Sequence, residues 1–266
     1  MALAAMAIGA MPSIAHSQEQ APKPEREFCA DRPGLGTPAC TLAPGAAMIE
    51  IGLAAWDHSR SRTAIDDTVT AGDFLLRVGV TDTMEAQIGV TSYVRTRRRD
   101  RPGGRAARRS GPGDAVIALR QGLTGANGPL AAQAFVTLPL AGDGLGAGGW
   151  SGGVLLPAAI DLAGDLQLEL TPELDVLPNA ERRGRHLAWG GVVGLSHPLG
   201  DALSATAELS AFRDHDPDGR STDARVAGSL VWQVSETAQL DFELDAGLTS
   251  AAPGRTLAVG VAWKFR

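Results

Sequence analysis

Leu166-Gln167-Leu168-Glu169-Leu170-Thr171-Pro172-Glu173-Leu174-Asp175-Val176 decides the fold of this chain. Successive strand side chains point to opposite faces, so Leu166, Leu168, Leu170, Leu174 and Val176 share one face while Gln167, Glu169, Glu173 and Asp175 share the other. The period recurs at Leu203 to Ser210 and at Leu240 to Asp245, and repetition makes it architecture. From Gly45 onward the chain divides into about twelve such runs, most close to the roughly 9 to 11 residues that a tilted strand needs to cross hydrocarbon. Tight turns such as Thr81-Asp82-Thr83 and Ala163-Gly164-Asp165 alternate with longer polar connections, Ser59 to Thr70 and Arg95 to Gly113 among them. The pattern predicts an all-β chain forming a transmembrane antiparallel β-barrel, with short periplasmic turns and longer extracellular loops. A soluble β-sandwich, whose charged face would be its solvent face, is the runner-up.

The apolar parity carries no charge: Ile49, Ile51, Leu53; Leu76, Val78, Val80; Val226, Leu230, Trp232; Leu257, Val259, Val261, Trp263, Phe265. A lysine or arginine on the lipid face at mid-depth costs about 2 to 4 kcal/mol, which accounts for the exclusion. The other parity predicts the lining of a lumen: Glu50, Arg77, Glu85, Asp114, Arg120, Glu169, Glu173, Asp175, Glu208, Arg225, Asp241, Glu243 and Asp245, with Tyr93, Phe135 and Phe212 as apolar places among them. Inward Gly, Ala and Ser, such as Gly52, Gly190, Ser204 and Gly260, leave room for a solute. Side chains can also fill a small barrel, and pairing of carboxylates with Arg77, Arg120 and Arg225 would then be structural.

Met1 to Ser17 is rich in Ala and Met and ends in small-x-small steps, as a secretory signal does. Residues 18–44 then form an expected periplasmic segment and residues 45–266 the barrel. No stretch holds 18 uninterrupted apolar residues, so a helical span is not expected. An exported chain without a helical anchor, but with barrel strands, points to the cell outer membrane. Cys29 and Cys40, close in sequence and exported to an oxidising compartment, are expected to form a disulfide. Lys and Arg total 24 against 30 Asp and Glu, so net charge suggests no nucleic-acid partner.

Cys29-Ala30-Asp31-Arg32-Pro33, Pro38-Ala39-Cys40-Thr41 and Pro44-Gly45 resemble the start of an outer-membrane transporter family known as Putative MetA-pathway of phenol degradation. Tyr93-Val94-Arg95, Asp100-Arg101, Gly113-Asp114, Trp150-Ser151-Gly152-Gly153 with Pro157, Glu173 to Leu177 and Gly184-Arg185-His186 continue the likeness in order. The resemblance implies a small outer-membrane barrel that passes aromatic or other small organic compounds, and it supplies no binding residues. Arg266 departs from it, because outer-membrane strands commonly end on an aromatic such as Phe265.

Other chemistry is weakly signalled. Ser196-His197 invites a hydrolase reading, yet neighbours in a strand point oppositely and no Gly-x-Ser-x-Gly elbow is present. Asp214-His215-Asp216-Pro217-Asp218 has oxygen ligands but lacks the distal Glu of a calcium loop, so no metal and no cofactor is expected. Arg97, Arg98, Arg99, Arg101, Arg105, Arg108 and Arg109 make an extracellular basic loop that reads either as a solvated loop or as a contact for lipopolysaccharide phosphates. The sequence therefore favours a non-enzymatic channel for small organic solutes, with outer-membrane lipid and the barrel assembly machinery as partners. A closed structural or adhesive barrel acting through its loops is the alternative, and an outer-membrane hydrolase the remote one.

Overall fold

The computed structural model describes residues 26, 28–181 and 183–265. The expected signal segment Met1 to Ser17 and the terminal Arg266 lie outside the described residues. Strand segments follow in chain order: β1 Ala47–Arg60, β2 Ala64–Gly79, β3 Met84–Asp100, β4 Ala106–Gly111, β5 Ala115–Gly122, β6 Ala131–Leu138 and β7 Ser151–Leu155, then β8 Ala158–Asp161, β9 Gln167–Pro178, β10 Arg185–Pro198, β11 Leu203–Asp214, β12 Ser221–Ser235, β13 Ala238–Gly247 and β14 Arg255–Phe265. Among the described residues there is no helix.

Neighbours pair antiparallel, and β14 pairs with β1, so the sheet closes and leaves no edge facing lipid. β4 and β5 both lie against β3, and β7 and β8 both against β9, so the 14 segments make twelve staves. Each break has a cause in the sequence. Pro112 and Gly113 separate β4 from β5. Leu156-Pro157 falls opposite Thr171-Pro172, between the pairs Leu155↔Glu173 and Ala158↔Leu170, where two residues without an amide donor meet. The chain is a closed antiparallel β-barrel.

Lipid-facing residues follow the expected parity. Leu257, Val259, Trp263 and Phe265 on β14 are 38 to 54% exposed, while Thr256, Gly260 and Ala262 between them are buried. Trp232, Trp263 and Phe265 ring the end with short turns; Trp56, Tyr93, Trp150 and Trp189 ring the other, as aromatic girdles should.

Two expectations about the outer rim are corrected. Residues 59–70 and 95–113 are mostly strand: β1 and β2 stay paired to Arg60↔Ile65, and β3 and β4 form a hairpin to Arg99↔Ala106. Polar side chains stand on both faces of these extensions, so hydropathy alternation fades while the backbone ladder continues. At Gly72, whose φ is +64°, the β2–β3 register skips Gly72 and Ser92, and β1 has a matching irregularity between Gly52 and Ala54. A bulge shifts a period-two pattern by one residue. Beyond it Val94 is buried and Tyr93 exposed, the reverse of what uninterrupted alternation predicts.

Candidate functional site

The lumen is built by the inward parity, and residues 28–44 occupy its short-turn half. The sequence placed this segment ahead of the barrel in the periplasm; the structure threads it back inside, where its backbone and side chains meet the wall's charges. Arg77 and Arg120 are fully buried, as are Glu50 and Glu85. Arg77 reaches Glu50 at 3.1 Å, Glu85 at 2.9 Å and Asp31 of the inserted segment at 2.9 Å. Arg120 grips Asp31 with both terminal nitrogens, at 2.8 and 2.6 Å, and Gln133 with Nε at 2.7 Å. Burial pushes the Asp31 carboxyl up, but the charges of Arg120 and Arg77 outweigh it and hold it below the usual carboxylate range.

The wall also binds the segment's backbone. Glu50 accepts the amides of Asp31 and Arg32, and Glu85 that of Leu42. Cys29 offers its carbonyl to Arg77, and Gln239 donates to the Arg32 carbonyl. Across the lumen, Glu243 accepts the Gly34 amide, and both oxygens of Glu208 accept the successive amides of Leu35 and Gly36 at 2.9 Å. Successive amides turned to one anion form a cradle. Gly34 makes it feasible: its φ is +117°, and a Cβ there would stand 2.8 Å from Glu208 Oε2. Arg32 pairs with Asp241 at 3.1 Å. The Cys29–Cys40 disulfide is formed, which closes the segment into a loop.

The segment leaves space beside it. A cavity of about 350 Å³ lies between Phe28, Cys29 and Thr37 to Cys40 on one side and Asn127 to Pro129, Ala158, Gln167 and Glu169 on the other. A second, of about 260 Å³, runs between the segment and Glu169, Ser196, Thr206, Glu208 and Gln233. Both flank the segment on the wall formed by β8 to β12, away from Arg77 and Arg120.

Above the segment the inward groups are differently engaged. Glu173 and Asp175 stand on one face of β9, and Phe135 approaches Asp175 across Gly153. Arg225 is held by Asp223 at 2.8 and 2.7 Å, and Ser210, Phe212, Asp223 and Arg225 line a cavity of about 240 Å³ whose floor is Leu35. Asp245 carries one oxygen with no hydrogen bond.

Tyr93, Asp114 and the arginines from 97 to 109 stand elsewhere than expected or serve another contact. Tyr93, past the bulge, shares the outer face with Arg95 and Arg97 and is not in the lining. Asp114 accepts the amides of Ala141 and Ala147 and so pins the connection 139–150. The arginines from 97 to 109 stand on a hairpin, not a loop. Asp214 and Asp216 are engaged: Asp214 pairs with His186 at 2.9 Å, and Asp216 accepts the amides of Asp218 and Ala180, which hold its carboxyl below the usual range. Asp31 and Arg32 are the functional residues the alternation could not find, because they lie outside any strand. Their signal was two opposite charges inside a disulfide loop.

The geometry can be set beside known proteins. A family model described as Putative MetA-pathway of phenol degradation matches residues 30–265. The COG4313 outer membrane channel from Pseudomonas putida F1 is similar at 16% identity with a TM-score of 0.65, over 88% of this chain and 99% of that one. The β domain of the Bordetella autotransporter BrkA follows at 14% identity and a TM-score of 0.57, over 84% and 100%. The translocator domain of the autotransporter NalP from Neisseria meningitidis is similar at 13% identity and a TM-score of 0.54, over 84% and 90%. These likenesses are of fold. No curated protein matches this chain in sequence.

Proposed function

The chain belongs to the Putative MetA-pathway of phenol degradation family, and from that premise we propose that it is an outer-membrane channel passing small organic solutes, aromatic ones included, without energy input. The observation that carries this reading is a polar lumen narrowed on one side by residues 28–44 but left with cavities along β8 to β12. Those cavities combine carboxylate and hydroxyl groups with Phe28, while Phe212 and Phe135 stand in the outer half, a lining that suits a solute with both a ring and a polar group. The solved Pseudomonas barrel of similar fold is itself described as a channel. A non-enzymatic role is supported by Ser196 and His197, which stand on opposite faces of β10. Barrel assembly machinery is the partner that such a fold requires on its way into the membrane.

The inserted segment favours a second reading, a closed barrel that acts through its extracellular face. Single-channel conductance of the refolded full-length protein in a planar bilayer separates the two. Discrete openings with cation preference, diminished by phenol or benzoate, support the channel. A protein that inserts and stays electrically silent overturns it.

A further inference from the structure

The arginines between Arg95 and Arg109 are sorted by the structure onto two faces of one ribbon, β2–β3–β4. Leu257 of the lipid-facing stripe stands opposite Trp56, Trp56 opposite Val69, and Val69 opposite Arg95, so all four share the outer face. Tyr93, Arg97 and Arg99 join them at period two, and Arg108 stands directly opposite Arg97. The other face carries Arg98, within 3.4 Å of Asp66 and 3.6 Å of Asp100, and Arg109, which donates to the Asp143 carbonyl.

The two faces differ in their balance of charge. On the outer face Asp67 is the carboxylate, held by His58 at 2.9 Å and 3.9 Å from Arg97. Arg95, Arg99 and Arg108 form no ion pair among the described residues. Like charges directly opposite repel, and Arg97 faces Arg108 in register. Arg97 Nε is shielded from solvent yet makes no hydrogen bond. An anion between the two guanidiniums would relieve both conditions. Just below stand Trp56 and Tyr93, 40% and 41% exposed, in the girdle that marks where hydrocarbon gives way to headgroups. The arginines are thus at headgroup height.

We infer that the outer face of this ribbon, with Arg95, Arg97, Arg99 and Arg108, binds the phosphate groups of the lipopolysaccharide of the outer leaflet. Guanidiniums take phosphate oxygens in pairs, and the acyl chains of the same molecule lie against Trp56, Val69 and Tyr93. The inference rests on the chain's place in the outer membrane and is independent of whether the lumen conducts.

The test uses full-length protein in detergent, with native mass spectrometry reading retention of bisphosphorylated lipid A against the same lipid dephosphorylated. Two charge-matched variants separate the faces: R97Q/R108Q on the outer and R98Q/R109Q on the inner, each checked for folding by its heat-dependent gel mobility. Wild type and the inner variant are expected to prefer the bisphosphorylated lipid by at least about tenfold, and the outer variant to lose that preference. R97K/R108K, which keeps the charge and loses the fork, is expected to fall between. Equal retention of both lipids by wild type, or equal losses in the two glutamine variants, would overturn the inference and leave an unspecific basic surface. Should R97Q/R108Q fail to fold, the lysine variant decides: undiminished preference there overturns the paired-guanidinium site.

Discussion

The two halves of the lumen are made by the same staves with the same alternation, yet their charges do different things. In the short-turn half, Glu50, Arg77, Glu85, Arg120, Glu208, Asp241 and Glu243 are each bound to residues 28–44 or to one another through them. In the outer half, Glu173 and Asp175 neighbour each other on one face of β9, and one buried oxygen of Asp175 and one of Asp245 accept no hydrogen bond. A charged inward residue is therefore a socket for the segment below and, above, a buried wall group with no such partner. What distinguishes them is a segment distant in sequence, not the strand that carries them.

Removing residues 28–44 should produce the largest effect, because it erases the difference between the halves. The wall keeps its own pairs, Arg77 with Glu50 and Glu85 and Arg120 with Glu85, so the barrel is expected to fold. Conductance in planar bilayers should rise several-fold; an unchanged value would mean that the segment does not limit the passage. Next in size is Arg120→Ala. It strips Asp31 of its two-pronged partner while Arg77 remains, and breaking one member of a buried charge network costs about 3 to 5 kcal/mol. Faster proteolysis within residues 28–44, with the barrel still resistant, is the expected result. Resistance equal to wild type would show that backbone contacts alone hold the segment.

Gly34→Ala should follow at about 1 to 3 kcal/mol, from a left-handed backbone and a Cβ set against Glu208. The same proteolysis reads it, and an unaltered rate would show that the Glu208 cradle yields easily.

Acid sharpens the comparison from another side. Asp31 has a lowered folded pKa, so the stability it adds is present above its unfolded value of about 3.9 and is lost as pH falls through the folded one. Each unit of that lowering is worth about 1.4 kcal/mol. Open probability is expected to hold steady from pH 8 to about pH 5 and to rise in stronger acid. Asp31→Asn should remove the acid step. An acid step of equal size in that variant would assign it to the outer carboxylates instead.

The barrel itself was legible because lipid is an unforgiving solvent: a charge-free parity repeated on strand after strand is the pattern that a hydrocarbon surround imposes. Legibility failed where that pressure ends. Asp66 to Thr68 and Arg95 to Arg99 carry polar side chains on both faces, so nothing in their hydropathy marks them as strand. Tyr93 was misplaced by one bulge, whose cue was Gly72 within an otherwise regular run. Within the lumen, the alternation found Arg77 and Arg120 but could not say what they hold, since Asp31 is brought to them by a chain reversal that no periodicity records.

The smallest effect belongs to the outer half, and it is the one that tests whether its carboxylates belong to a solute path. Asp245→Asn keeps the shape while removing one charge from a wall that also bears Arg225 and Asp223. Asp245 is itself buried, so its charge reaches a passing ion only at a distance and through a lumen of high dielectric, with an influence below about 1 kcal/mol. The reversal potential in a salt gradient should move modestly toward anions with conductance nearly intact. The equivalent change below, Glu208→Gln, alters a group whose oxygens are already occupied by the Leu35 and Gly36 amides, so it should loosen the segment without a comparable shift in selectivity. If the two substitutions moved the reversal potential alike, the distinction between a carboxylate that holds the segment and one beyond its reach would fail, because position along the lumen would then count for nothing beyond charge.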